Sequence, residues 1–168
     1  MRLFAVLLVL VGVVACGGGS DAATAESAVA SGLRLQQAGN LPAAAERYEA
    51  AILADPQNKL AYYDLGLVLQ LQGREADAEV DYTHALALDG NYEPALYNLA
   101  LIRSRTDPAG AEQLYRKALR VRPNDAAAHY NLGLLLRRRG AASEGDREIA
   151  LALSLNPALV PHPSPTAP

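Results

Sequence analysis

Cysteine is nearly absent: Cys16 stands alone among 168 residues. A single cysteine excludes an intrachain disulfide and any cysteine-cluster metal site. Tryptophan is missing, phenylalanine occurs once, and aromatic residues make up 5% of the chain. A core must therefore be built from aliphatic side chains and tyrosine. Histidine is scarce too, and His84, His129 and His162 share no ligand spacing, so neither a metal nor any other cofactor is expected. His129 reads better as a packed ring. No Ser/His/Asp arrangement can be traced. The glycine run Gly17-Gly18-Gly19 precedes no strand pattern and lacks the lysine of a phosphate loop. Catalysis is accordingly not expected. Net charge is only −3, which argues against nucleic acid or an acidic substrate as partner. Long hydrophobic runs are missing as well. The longest covers residues 3–14, well short of the roughly 20 residues a membrane-spanning helix needs.

What the chain has is apolar material and an uneven charge distribution. Apolar types make up 51%, rich in alanine and leucine, which favours helices. Residues 1–92 carry 5 basic and 11 acidic side chains, whereas residues 93–168 carry 10 and 7. A folded rod would be negative towards its N-terminal end and positive towards the other. The acidic run Glu75-Ala76-Asp77-Ala78-Glu79 with Asp81 reads as a solvated helix face.

Self-similarity organises the rest. Ala51, Ala85, Ala118 and Ala152 recur at intervals of 34, 33 and 34, as do Tyr48, Tyr82, Tyr115 and Ile149. Gly32, Gly66, Ala100 and Gly133 recur at 34, 34 and 33, and Pro56, Gly90, Pro123 and Pro157 close four units. The units are residues 25–58, 59–92, 93–125 and 126–159. Each should form two helices, predicted over 25–38, 41–54, 60–72, 76–88, 94–104, 108–121, 126–139 and 143–155. Gly39, Gly73 and Gly140 should end first helices. Asn40 and Asp107 should cap second helices, and Asn58 and either Asn124 or Asp125 first helices. Pro108 suits a first helical position. Unit 3 lacks the turn glycine and is one residue short, so its turn should be reshaped. Gly145 stands where the other units have Ala44, Ala78 and Ala111, which weakens the last helix by propensity. The nine residues 160–168 contain four prolines and should form an extended, disordered tail.

The segments Tyr62-Tyr63-Asp64-Leu65-Gly66, Leu96-Tyr97-Asn98-Leu99-Ala100 and His129-Tyr130-Asn131-Leu132-Gly133 resemble the first-helix signature of the tetratricopeptide repeat. Tyr82-Thr83-His84-Ala85-Leu86 and Tyr115-Arg116-Lys117-Ala118-Leu119 resemble its second-helix signature. The resemblance covers residues 25–159 and implies an all-α, right-handed α-solenoid of four units, stable through nearest-neighbour stacking. It also implies that first helices line a concave surface, placing Val29, Ala30 and Leu33 there from unit 1. Unit 2 adds Tyr63, Asp64, Leu67 and Gln70. Unit 3 adds Tyr97, Asn98 and Leu101, and unit 4 adds Tyr130, Asn131, Leu134, Arg137 and Arg138. Such a stripe suits a peptide or protein partner. The chaperone-tail clamp of some family members needs basic residues where this chain has Val29, Leu33, Pro94 and Asn98, so a chaperone tail is not expected. Arg103, Arg105, Arg137, Arg138 and Arg139 end adjacent first helices. They exceed what helix dipoles need and point to an anionic partner. Such arrays usually end in a polar capping helix, and residues 160–168 supply none. That leaves self-association through Ile149, Leu153 and Leu155 as the alternative, beside an adaptor role for an envelope enzyme.

The N-terminus reads as an address. Arg2 precedes the apolar run, which closes in Val13-Val14-Ala15-Cys16, a segment that resembles the lipobox of bacterial lipoproteins. The resemblance implies a signal peptide over 1–15 and a diacylglyceryl (palmitate-bearing) Cys16, whose thiolate takes the lipid. Gly17-Gly18-Gly19-Ser20 suits a flexible tether over 16–24. The expected location is the bacterial cell envelope, anchored by lipid, with Gly17 favouring the outer membrane facing the periplasm. The expected role is a non-catalytic interaction scaffold, aiding assembly of a pilus, secretion or outer-membrane complex.

Overall fold

The computed structural model describes the backbone of residues 18–159 and the side chains of residues 21–159. The segment 1–15 read as a signal peptide, Cys16 and the tail 160–168 lie outside the described residues. Among the described residues eight α-helices follow one another: α1 (Gly18–Gln37), α2 (Leu41–Ala54), α3 (Lys59–Leu71), α4 (Glu75–Leu88), α5 (Glu93–Thr106), α6 (Pro108–Val121), α7 (Ala126–Arg138) and α8 (Ala142–Leu155). A short 3-10 turn over Pro157–Leu159 comes last, and no strand occurs among the described residues. Seven helices start and stop within two residues of the positions predicted from the repeat. The exception is α1, which begins inside the segment read as a tether. Asp21 lies in its first turn, where a carboxylate favours a helix, and the run Ala22-Ala23-Thr24-Ala25 carries the helix forward.

Each helix packs chiefly on its neighbours in sequence, with α1 also touching α3 and α5 touching α7. This is the connectivity of a solenoid, in which no unit buries its apolar face alone. Tyr48, Tyr82 and Tyr115 are completely buried, as are Ala51, Ala85, Ala118 and Ala152. A methyl built on Gly32 would stand 2.7 Å from the Tyr48 ring, and one on Gly66 would stand 2.9 Å from Tyr82. The glycine thus makes room for the tyrosine of its own unit.

Unit 4 solves the same problem differently. Ile149 replaces the tyrosine, and the helices close the gap themselves. A Cβ on Gly145 would lie 2.6 Å from the Gly133 carbonyl oxygen, and one on Gly133 would lie 2.7 Å from that of Gly145. The glycine that weakens α8 by propensity is what lets it touch α7 backbone to backbone.

The turns follow the expected chemistry. Gly39, Gly73 and Gly140 take φ of 78°, 78° and 88°, the left-handed region glycine enters without penalty. Around each, the two hydrogen bonds of a Schellman motif form. For Gly39 they run from its N–H to Gln36 O at 2.9 Å and from Asn40 N–H to Leu35 O at 2.9 Å. In unit 3 a single residue does both jobs. The Asp107 N–H donates to Arg103 O at 2.8 Å, closing α5, while its carboxylate accepts from Gly110 N–H at 2.9 Å, capping α6. That is how the turn survives one residue shorter and without glycine. Asn58 caps α3 through Leu60 and Ala61 N–H. Of the two candidates before α7, Asp125 is the cap, accepting from Ala128 N–H at 2.9 Å.

Candidate peptide-binding groove

The first helices α3, α5 and α7 carry a repeating polar contact along one face. Asn131 Nδ2 donates to the Tyr97 hydroxyl at 2.8 Å, and Asn98 Nδ2 to the Tyr63 hydroxyl at 3.4 Å. Each asparagine thus reaches back to the tyrosine of the preceding unit. The tyrosine rings also pack inward: Tyr63 lies 5.8 Å from Tyr82 and 5.3 Å, edge-on, from Tyr92, and Tyr97 lies 6.0 Å, edge-on, from Tyr115. The ladder fixes the spacing of successive first helices and leaves the tyrosines half-buried.

Asp64 breaks the ladder. It occupies the asparagine position of unit 2, but the residue it would reach back to is Val29, which offers no hydroxyl. Among the described residues no hydrogen bond or ion pair to Asp64 is found. Burial alone pushes its carboxyl up to about 6. The carboxylate stands close enough to Tyr63 and Tyr82 to raise both phenols, second to the effect of their own burial in Tyr63 and a smaller contribution in Tyr82.

Towards the other end of the face lies an open cleft of about 650 Å³, lined mainly by α5 and α7 with single residues of α3, α4 and α6. This is within the range of ligand sites. Of the residues predicted for the groove, Gln70, Leu101, Asn131, Leu134, Arg137 and Arg138 line it, together with Arg105 of the basic end. Tyr63, Asp64, Leu67, Tyr97, Asn98 and Tyr130 lie on the same stripe, half-buried, but outside the cleft. Arg139 borders a smaller neighbouring hollow with Ser104, Arg105 and Arg138, and Arg103 borders neither.

The five arginines of the basic end do not stand as the surplus positive charge that their number at adjacent helix ends suggests. Arg103 pairs with Glu79 at 2.7 Å, Arg105 with Glu75, Arg139 with Glu112, and Arg137 with Asp146 at 3.4 Å. Carboxylates of the second helices therefore neutralise four of the five arginines. The acidic run of α4 is in part the counter-charge of α5 and not only a solvated face. Arg138 alone of the five has no carboxylate among the described residues; it donates to the Ser104 carbonyl at 3.3 Å.

Four residues around the cleft were not anticipated as site residues: Glu75, Ile102, Ser104 and Tyr115. A signal for Ser104 and Tyr115 was present in the repeat. Tyr48 and Tyr82 each donate to a glutamine twelve residues earlier, Gln36 and Gln70, at 2.8 Å. The same register in unit 3 falls, one residue closer, on Ser104.

His129 is buried as a packed ring, with Nδ1 2.6 Å from Glu148 Oε2 and Nε2 2.9 Å from the Pro123 carbonyl oxygen. It ties α7 to α8 and to the preceding turn. Among the described residues no group of histidine, cysteine, aspartate or glutamate could hold a metal ion.

Comparison with known proteins agrees with this architecture. Family models of the tetratricopeptide repeat match residues 29–94 and 109–140, and the chain is an α-solenoid of tetratricopeptide repeats. Over 99 residues it is 37% identical to the photosystem I assembly protein Ycf3 of Cyanophora paradoxa, covering 55% of this chain and 57% of that one. It is equally identical over 100 residues to the probable UDP-N-acetylglucosamine–peptide N-acetylglucosaminyltransferase SPINDLY of Hordeum vulgare, with 55% of this chain covered but 11% of the relative. The chain thus spans little more than half, or far less, of these relatives. Among solved structures, MamA superposes with a TM-score of 0.74 at 23% identity, over 83% of this chain and 82% of that one. YrrB, described as a tetratricopeptide-repeat protein with an unusual peptide-binding site, superposes at 0.72 and 21% identity, over 79% and 69%. At these identities the likeness is one of fold.

Proposed function

We propose that this chain is a lipid-anchored interaction scaffold of a bacterial cell envelope, which holds a segment of a partner protein on the face formed by α3, α5 and α7 and carries out no chemistry itself. The observation that carries the reading is the cleft beside the Tyr–Asn ladder. Exposed Leu101 and Leu134 offer apolar contact, while Asn131, Gln70 and Arg138 offer hydrogen bonds from fixed positions. A rigid, mixed surface of this kind binds an extended or helical segment at low ordering cost. Peptide binding by the structural neighbour YrrB and the peptide-bound first repeat domain of Spaghetti, which superposes at a TM-score of 0.68, support it by analogy of fold.

The anchor rests on Val13-Val14-Ala15-Cys16, and with it the placement on the periplasmic side of an envelope membrane. Assembly of a pilus, secretion or outer-membrane complex is the kind of work such a tethered scaffold would do. Of the three residues expected to be uncovered on α8, Leu155 is exposed while Ile149 and Leu153 are half-buried. Leu155 with exposed Leu151 favours self-association as the second reading, which light scattering would reveal as a dimer or larger species.

The groove is tested by selecting peptides from a random displayed dodecamer library on the full-length chain, then measuring the winners against a Leu101→Glu/Leu134→Glu double variant. Affinity should fall at least tenfold in the variant while its circular dichroism stays unchanged. Equal affinity would place binding elsewhere and overturn the reading.

A further inference from the structure

Unit 3 has lost an internal hydrogen-bond acceptor that units 1 and 2 keep. In those units the buried tyrosine hydroxyl donates to a glutamine of the first helix, Tyr48 to Gln36 and Tyr82 to Gln70, both at 2.8 Å. The corresponding residue of unit 3 is Ser104, which has a hydroxyl where glutamine carries a further methylene and an amide. Its hydroxyl turns back to donate to the Ala100 carbonyl at 2.7 Å. Tyr115 is completely buried, and its hydroxyl has no hydrogen-bond partner among the described residues. Ser104 is close enough to lower the Tyr115 phenol against the larger upward push of burial, yet its own hydroxyl is committed to Ala100 and no hydrogen bond joins the two hydroxyls. A buried donor left unmet is costly, and native structures rarely tolerate one without a reason.

Ser104, which occupies the glutamine position of unit 3, borders the cleft described above. Tyr115 and Ser104 both line it, with Leu101, Ile102 and Leu134 as apolar wall and Arg138 at the rim. Arg138 is also the one arginine of the basic end that no carboxylate among the described residues neutralises.

We propose that the cleft is a socket for a glutamate side chain of the bound partner segment, which stands in unit 3 where Gln36 and Gln70 stand in units 1 and 2. The requirements are set by the two sister units and by the rim. The side chain must have the length of glutamine to bring an acceptor to the Tyr115 hydroxyl. It must have an apolar stem to lie on Leu101 and Leu134. It must be anionic to meet Arg138, whose planar guanidinium can grip a carboxylate with two parallel hydrogen bonds. Aspartate is one methylene too short, and glutamine lacks the charge. The cleft is larger than one side chain, leaving room for the residues that flank the glutamate. This proposal rests on the groove reading above and adds the chemistry that the groove selects.

The test uses an array of immobilised hexapeptides in which one position is fixed as Glu, Gln, Asp or Leu and the others are randomised, probed with the labelled full-length chain. Wild type should prefer fixed Glu over fixed Gln or Asp by roughly tenfold, the worth of one charge-assisted hydrogen bond. Ser104→Gln rebuilds the internal acceptor of units 1 and 2. It should raise the melting temperature and abolish the Glu preference together. Tyr115→Phe removes the unmet donor, so it should leave melting unchanged or raised while cutting the preference several-fold. It serves as the independent test if Ser104→Gln folds poorly. Binding to the array with no preference for Glu, or a preference that persists in both variants, overturns the socket while leaving the groove intact. Absence of binding to any pool overturns the groove, and the socket with it.

Discussion

Asn131 donates a hydrogen bond of 2.8 Å to the hydroxyl of Tyr97, the residue 34 positions earlier in the chain. One repeat thereby reads the register of the one before it. The same contact joins Asn98 to Tyr63 across 35 positions at 3.4 Å. Because these residues lie on the groove face, the contacts that hold the units together also fix the surface a partner meets.

The ladder predicts a paired effect. Asn131→Leu leaves the half-buried Tyr97 hydroxyl without its donor and loosens the α5–α7 spacing. Stability should drop by about 1 kcal/mol in urea denaturation, and Tyr97→Phe should cost a similar amount. The double variant should cost little more than either single one, because both remove the same bond.

The three buried tyrosines are chemically alike but should respond differently to losing their hydroxyls. Tyr48→Phe and Tyr82→Phe each orphan a glutamine acceptor and should destabilise by about 1 kcal/mol. Tyr115→Phe removes a hydroxyl with no partner and should be neutral or stabilising. Thermal melts of the three variants decide this; a loss for Tyr115→Phe equal to the others would show that its hydroxyl is bonded after all.

Glycines of two kinds should separate in the same experiment. Gly133→Ala drives a methyl to within 2.7 Å of the Gly145 carbonyl oxygen, backbone that cannot rotate away, and should cost at least the 1–3 kcal/mol typical of overpacking. Gly73→Ala meets nothing within 4 Å but must hold φ at 78°, for about 1 kcal/mol.

Most of this scaffold can be read in the sequence because a repeat states each rule several times. The 34-residue spacing of the tyrosines and small residues locates eight helices, and Gly39, Gly73 and Gly140 mark their turns. What escapes are features that appear once. Ser104 is legible only as a departure from Gln36 and Gln70, and its consequence depends on where Tyr115 points. The pairing of Arg103 with Glu79 and of Arg105 with Glu75 joins residues 24 and 30 positions apart. A linear count of arginines at helix ends therefore mistakes a balanced surface for a charged one. Gly145 looks like a weak helix position until the backbone of Gly133 is seen against it.

Asp64 predicts a pH dependence. Burial raises its carboxyl from the ordinary range near 4 to about 6, so the folded state binds its proton more tightly than the unfolded chain does. The stabilisation is complete below about pH 4 and is lost as pH rises through about 6. Asp81, also raised to about 6 by burial, acts in the same direction. Asp64→Asn supplies the residue type that units 3 and 4 carry at this position. It should raise stability at pH 7 by about 1 kcal/mol and flatten the curve between pH 4 and 7. A variant whose pH curve matches wild type would contradict the burial of this charge.

The anchor is tested separately from the groove. In a bacterial host, Cys16→Ser should abolish incorporation of radiolabelled palmitate and leave the precursor unprocessed by the lipoprotein peptidase. Equal labelling of variant and wild type would overturn lipidation at this residue.

The claim that most depends on the whole arrangement is that a partner segment lies along the first helices. Amide chemical-shift mapping of the isotope-labelled full-length chain, titrated with a dodecamer selected from the displayed library, tests it most directly. The largest shifts should follow α5 and α7 around Leu101, Ser104, Asn131, Leu134 and Arg138, and weaken towards α3. Shifts concentrated on α2, α4 and α6, with the residues of the cleft unmoved, would contradict the account.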